Sequence, residues 1–247
     1  ELRNREQVAV VGPSGCGKTS LLRLIAGLIE PTRGQVWIGG ESPASARTKG
    51  YLSMVFQSPV LLPWLTAREN VELPGRISSD SSVVDRATSL LQRVGLSGFE
   101  DAYPHQLSGG MKARTALARA LSTEPHLLLM DEPFASLDAM TRQSMQGEVT
   151  RILGIRPLAA VLVTHSIDEA MMLSSRVVVL SARPAQVREI VALPQPSPPE
   201  RDRSYRDLPE YLDTRRYLEH LTGGAGHPEG GRAFARESLL KQELGCE

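Results

Sequence analysis

A chain of 247 residues with 41% hydrophobic side chains can bury the core of one large α/β domain. Its 28 basic and 28 acidic side chains cancel, which excludes the broad positive field of a nucleic-acid binder. Two cysteines, Cys16 and Cys246, have no metal-ligand spacing or disulfide framework and suit a reducing cytosol, and no run of about 18 apolar residues suggests a membrane span.

In chain order, the first apolar run, residues 8–11, predicts a buried strand. It leads into Gly12-Pro13-Ser14-Gly15-Cys16-Gly17-Lys18-Thr19, which satisfies G-x-x-x-x-G-K-[ST]. A helix is predicted over residues 20–28, starting at Ser20, from Leu21, Leu22, Leu24, Ile25 and Leu28, with Pro31 beyond its end. Strand before and helix after is the context that turns this pattern into a phosphate-binding loop. Its backbone N–H groups face one point, the helix end is positive, Lys18 reaches the terminal phosphates and Thr19 offers a hydroxyl to Mg²⁺. The first ligand to expect is therefore a nucleoside triphosphate.

Further strands are predicted at residues 36–38, 127–130, 161–164, 177–180 and 187–193. With helical patterns between several of them, they predict an α/β fold with a mostly parallel sheet flanked by helices. From Gln57 to Ser108 the character changes. After Pro59, Pro63 and Pro74 comes an amphipathic segment carrying Val83, Val84, Ala87, Leu90, Leu91 and Val94, closed by Gly95. This predicts an inserted helical subdomain over about residues 58–122. The core domain is placed at 1–193. A Pro/Gly-rich linker and helical tail follow at 194–247, with Leu208, Tyr211, Leu212, Leu218 and Leu221 on one face and a last helix-like piece from Arg232.

Two more features surround the phosphate loop. The apolar run at 127–130 ends in Asp131 and Glu132, so a buried strand delivers both carboxylates to the ligand-binding edge of the sheet. Asp131 suits the Mg²⁺ shell, and Glu132 can take a proton from attacking water. Leu107-Ser108-Gly109-Gly110-Met111 stands directly before a helix with Ala113, Ala116, Leu117, Ala120 and Leu121 on its apolar face. It forms either a second anion site, from helix-end N–H groups, or an ordinary Ser N-cap. Arg114 and Arg119 on that helix are either phosphate ligands or part of a solvated face. His105, His126, His220 and His227 have no metal-site pattern and read as structural or solvated.

These residues resemble the ATP-binding cassette (ABC) ATPases, a P-loop NTPase family, over about residues 7–193. Residues 12–19 resemble the Walker A segment, 127–132 the Walker B segment and 107–111 the signature. Gln57 resembles the Q-loop glutamine, Ser136-Leu137-Asp138 the D-loop and His165 the switch histidine. The resemblance implies a head-to-tail dimer of two copies, each ATP lying between Walker A of one and Ser108, Gly109 and Gly110 of the other. It further implies that Gln57 senses Mg²⁺ and the lytic water, that Asp138 organises the opposing site and that His165 contacts the γ-phosphate.

Within the family, Met111 in place of the commoner glutamine, the stretch Pro63-Trp64-Leu65-Thr66-Ala67-Arg68-Glu69-Asn70-Val71, and Ala182-Arg183-Pro184 look like the nitrate/sulfonate/taurine-type importer ATPases of bacteria. That likeness implies uptake of a small anionic solute, a transmembrane permease subunit, indirectly a periplasmic or lipoprotein solute-binding protein, and a peripheral place on the cytoplasmic face of the bacterial inner membrane. Val60, Leu61, Leu62 and Trp64 form an apolar cluster that either receives the permease or belongs to the subdomain core. A non-transport ABC ATPase and a non-hydrolytic nucleotide-binding module are the alternative functions. The family's upstream β segment, which carries an adenine-stacking aromatic, is expected to be missing before residue 7.

Overall fold

A computed structural model describes residues 1–223 other than 136, 156, 157, 197, 199 and 202. The helix-like piece from Arg232, residues 224–231 before it with His227, Cys246 and Ser136 lie outside the described residues. Six strands, β1 (Gln7–Val11), β2 (Leu52–Val55), β3 (Leu127–Asp131), β4 (Ala159–Val163), β5 (Arg176–Leu180) and β6 (Val187–Ala192), form one sheet in the order β2-β3-β4-β1-β5-β6. The pairs β1 with β5 and β2 with β3 are parallel, and β5 with β6 is antiparallel. Every residue of β1, β3 and β4 is buried, as the unbroken apolar runs of an internal parallel strand require. The chain divides into two compact units, Glu1–Lys18 with Val161 onward, and Thr19–Ala160.

In the unit from Thr19 to Ala160, α1 (Lys18–Ile25) ends earlier than expected. Gly27 takes a φ of 64°, and the N–H groups of Gly27 and Leu28 turn back to the carbonyls of Leu24 and Arg23. A correction concerns residues 36–38, which form no strand of the sheet. Ile38 bridges Glu41 across the turn of Gly39 and Gly40, both at positive φ, and Trp37 is 64% exposed. The sequence closes on itself there because two adjacent glycines favour a tight hairpin turn. The sheet strand in this part of the chain is instead β2, preceded by α2 (Pro43–Thr48).

The expected helical insertion is built from α3 (Ala67–Ser78), α4 (Ser81–Arg93) and α5 (Gly109–Ser122), which pack on one another. α3 begins in a capping box, in which Thr66 Oγ1 accepts the Glu69 N–H and Glu69 Oε2 accepts the Thr66 N–H. It crosses α4 at Gly75, where an added Cβ would lie 2.5 Å from Val83 Cβ. α4 closes at Val94, and Gly95 follows at a φ of 73°. α6 (Ala139–Ile155) packs against α5.

In the other unit, α7 (Ile167–Leu173) lies against β1, and α8 (Pro209–Gly223) lies against α7 and β5. Tyr211, Leu218 and Leu221 of α8 are buried, whereas Leu212 is exposed. Leu212 is one residue, about 100° of helix, from Tyr211, so it falls on the shoulder of the packed stripe rather than within it. The segment before α8 is tied down by Arg201, a buried guanidinium that donates to the carbonyls of Met171, Ser174, Pro194 and Pro196 and lies 4.5 Å from the Tyr205 ring centroid. Burial lowers the pKa of Arg201 to about 10, and its carbonyl partners compensate part of the desolvation. Among the described residues, no helix is long and apolar enough to cross a membrane.

Candidate active site

The phosphate loop leaves β1 at Gly12. A Cβ on Gly12 would meet the Leu180 carbonyl oxygen at 2.9 Å and Cys16 Sγ at 3.2 Å, so this glycine is required by the close approach of β5. Gly15 and Gly17 stand at φ 74° and 112°, conformations open to glycine. Pro13, Ser14 and buried Cys16 complete the curl, with the Cys16 N–H donating to the Pro13 carbonyl. Lys18 is buried and its Nζ donates to the carbonyls of Gly12 (2.8 Å) and Pro13 (3.0 Å), so two of its three N–H donors are engaged by the loop. Arg183, noted in the sequence only as part of a local pattern, donates from Nε to the Gly15 carbonyl at 2.6 Å. That contact braces the back of the loop with a cation.

Chain continuity carries Thr19 and Ser20 into α1. Thr19 Oγ1 donates to Asp131 Oδ1 at 3.1 Å, across 112 residues of sequence, at the C-terminal end of buried β3. Asp131 is 5% exposed. Glu132 follows with a φ of 45°, a left-handed conformation that costs a non-glycine residue about 1–3 kcal/mol and concentrates at functional sites. The turn brings Glu132 to Gln57, whose Nε2 donates to Glu132 Oε2 at 3.2 Å. Of the expected site residues, the structure therefore joins Thr19 with Asp131 and Gln57 with Glu132.

Ser108, Gly109 and Gly110 open α5. Ser108 is an N-cap whose Oγ accepts the Met111 N–H at 3.3 Å, and Ser108 and Gly109 are exposed. The helix start thus presents N–H groups outward with a polar cap already in place. Gly110 has a separate reason to be glycine, since its Cβ would meet Thr141 Cγ2 at 2.5 Å. Thr141 belongs to the first turn of α6, where Asp138 Oδ1 accepts the N–H groups of Met140 and Thr141. Hydrogen bonds from the Thr141 side chain and then its backbone lower the pKa of Asp138. The starts of α5 and α6 therefore meet at a close glycine–threonine contact. No spacing rule revealed that link, because it depends on two helices meeting.

Arg119 is not spent on a free helix face. It donates to the carbonyls of Val60 (2.9 Å) and Pro59 (3.1 Å) and holds Val60 at a φ of 43°, uncommon for a β-branched residue. Buried Asn70 organises the next residues, accepting the Leu62 N–H and donating to the carbonyls of Leu62, Leu65 and Thr66. Between these two clamps, Val60 and Trp64 are exposed, Trp64 at 68%, and Leu61 and Leu62 are half-buried. His165 is exposed immediately before α7.

The family description "ABC transporter" matches residues 1–135. An uncharacterized ABC transporter ATP-binding protein of Methanocaldococcus jannaschii is 46% identical over 218 residues, covering 85% of this chain and 78% of that protein. An aliphatic sulfonates import ATP-binding protein of Pseudomonas syringae pv. syringae is 43% identical over 188 residues, covering 75% of this chain and 73% of its own length. The nitrate import ATP-binding protein of Synechococcus elongatus is 41% identical over 225 residues, 88% of this chain but 33% of that protein. Among solved structures, a dimeric ATP-binding cassette in a post-hydrolysis state bound to ADP and Pi superposes with a TM-score of 0.66 at 31% identity, covering 76% of this chain and 88% of that one. The chain belongs to the ABC transporter family, as an ATP-binding ATPase cassette.

Proposed function

We propose that this cassette is the ATP-hydrolysing subunit of an importer for a small anionic solute of the nitrate or sulfonate class, working as a head-to-tail pair. The observation that carries the reading is the convergence of Thr19 with Asp131 and of Gln57 with Glu132 at the end of β3. Hydrolysis is ATP + H₂O → ADP + phosphate: water oxygen bonds to the γ-phosphorus, the bond to the β–γ bridging oxygen breaks, and Glu132 takes the water proton. General-base catalysis of this kind contributes about 10²–10⁴-fold. Lys18 and the loop amides stabilise charge on the transferring group, and His165 contacts the γ-phosphate.

Mg²⁺ fits the donor set, since the Thr19 hydroxyl and Asp131 carboxylate are hard oxygen donors held 3.1 Å apart, with the Gln57 amide oxygen as a further donor. When bound, the ion neutralises charge on the phosphates. Thr19 and Asp131 hold it, Gln57 orients the lytic water beside Glu132, and the second copy supplies Ser108, Gly109 and Gly110 to the same triphosphate. Asp138 shapes the opposing site from just before α6, whose first N–H groups it caps.

The importer reading is supported by the names of the nitrate and sulfonate import relatives. It places the subunit at the cytoplasmic face of the inner membrane, bound to a permease that a solute-binding protein supplies from the other side. The clamped loop with exposed Val60 and Trp64 is the surface offered to that permease. Residues 1–193 form the nucleotide-binding domain and residues from 194 a C-terminal appendage.

Glu132→Gln tests the chemistry, because it keeps an oxygen able to accept from Gln57 while removing the base. The variant is expected to bind ATP, to hydrolyse it about 10²–10⁴-fold more slowly, and to accumulate as an ATP-bound dimer by light scattering; turnover within a few-fold of the parent rejects the assignment. Trp64→Ala tests the coupling surface. Unchanged basal hydrolysis with loss of permease-stimulated hydrolysis is expected, and full stimulation rejects it.

A further inference from the structure

His165 sits between β4 and α7, and the residues on both sides of it are locked. Thr164 donates its hydroxyl to Glu169 Oε2 at 2.5 Å and accepts the Ser166 N–H at 3.0 Å, while Ser166 Oγ accepts the Glu169 N–H at 3.3 Å. Thr164 and Glu169 are both buried. This bracket ties the backbone around His165 to the first turn of α7, so wherever α7 goes, His165 follows.

The C-terminal segment then grips α7 at both ends. Tyr211 of α8 donates its hydroxyl to Asp168 Oδ1 at 2.6 Å, and Arg215 Nε lies 3.5 Å from the same oxygen. At the far end, Arg201 holds the carbonyls of Met171 and Ser174. Tyr211 is 1% exposed and meets Tyr205 edge-on, with ring centroids 5.2 Å apart, so its ring cannot swing away from Asp168 without opening a packed core. α7 has seven residues, and a helix this short has no orientation of its own in water. Its direction is set by what holds it, and a hydrogen bond to a carboxylate is among the stronger single holds.

We propose that Tyr211 is a positioning residue for ATP hydrolysis: through Asp168, α8 holds α7 and thereby His165 in the register that meets the γ-phosphate. The C-terminal appendage is on this view part of the switch, and a change in its docking alters turnover without touching the phosphate loop. The proposal rests on the reading of His165 as the γ-phosphate contact.

The test is steady-state phosphate release from MgATP by the full chain, with thermal unfolding as a control. Tyr211→Phe keeps the ring and removes the hydroxyl. It is expected to lower kcat roughly three- to tenfold, with KM for ATP within about twofold. Asp168→Ala is expected to match it, the double variant to lose no more than either single one, and Asp168→Asn, which keeps an acceptor for the hydroxyl, to recover most of the rate. The decisive readout is Tyr211→Phe in a His165→Ala background, where no further loss is expected, because the hydroxyl acts only through that side chain. Two losses that multiply, an effect on KM alone, or a loss matched by an equal fall in folded fraction overturns the proposal. A slow His165→Ala with a normal Tyr211→Phe removes the positioning role alone, whereas a His165→Ala of normal rate removes the reading of His165 and the proposal with it.

Discussion

Gly110→Ala offers a steric test of how the signature helix is mounted. An added Cβ would sit 2.5 Å from Thr141 Cγ2, while the next atoms, Thr141 Cβ and Oγ1, lie at 3.7 and 3.8 Å, in ordinary contact. One methyl group therefore carries the whole clash, and relieving it requires α5 and α6 to separate by roughly 1 Å or a side chain to leave its rotamer. Overpacking of this kind costs about 1–3 kcal/mol. For a chain of this size that corresponds to a fall in Tm of about 2–12 °C. Because the same shift displaces the helix start that carries Ser108 and Gly109, dimerisation in ATP should weaken together with stability. The assay is thermal unfolding by calorimetry with light scattering in ATP. The second arm is Thr141→Ser, which deletes Cγ2 and keeps Oγ1: Gly110→Ala/Thr141→Ser should regain most of the lost Tm and dimer. A Gly110→Ala variant with the parent's Tm, or one not rescued by Thr141→Ser, refutes the steric argument.

Thr19→Val keeps the shape and removes the donor to a buried carboxylate. It should destabilise the fold by about 1–3 kcal/mol and lower the Mg²⁺ dependence of ATP binding; titration of ATP with and without Mg²⁺ decides, and an unchanged ratio counts against Thr19 as a ligand. Arg119→Ala should release the strained Val60 turn, so acrylamide quenching of Trp64 in a Trp37→Phe background should rise; identical quenching means that Arg119 does not stiffen the loop. Asp138 has a folded pKa below its ordinary value because Thr141, first through its side chain, donates to it. A depressed carboxylate contributes stability above the unfolded pKa of about 3.9 and loses it as pH falls through the folded value. Unfolding free energies of Asp138→Asn and parent should therefore converge in that acid window, and a constant difference across it contradicts the capping role.

Much of the candidate site was legible because its residues are local in sequence. Residues 12–19 carry their own strand-loop-helix context, and the apolar run before Asp131 announces a buried strand ending in acids. α3 was less legible: Pro74 reads as a break, yet the capping box at Thr66 and Glu69 and the packing on α4 and α5 carry the helix through it. Thr66-x-x-Glu69 was the signal that could have placed its start. Residues 36–38 misled in the opposite direction, because three apolar residues have strand character whether or not a neighbour is there to pair with them. Arg119, Asn70 and Arg183 were invisible as clamps, since a long or polar side chain does not state in advance which carbonyl it will reach.

The sequence by itself determined the strand-loop-helix context of residues 12–19, the run of apolar strands and the α/β class, because these rest on backbone curvature, strand burial and residue chemistry within short windows. Tertiary structure alone decided that Gly110 is glycine for the sake of Thr141, that Glu132 is turned toward Gln57, and that Tyr211 reaches Asp168. Those contacts join residues tens of positions apart, and their distances follow from how helices and strands pack, which no local pattern encodes.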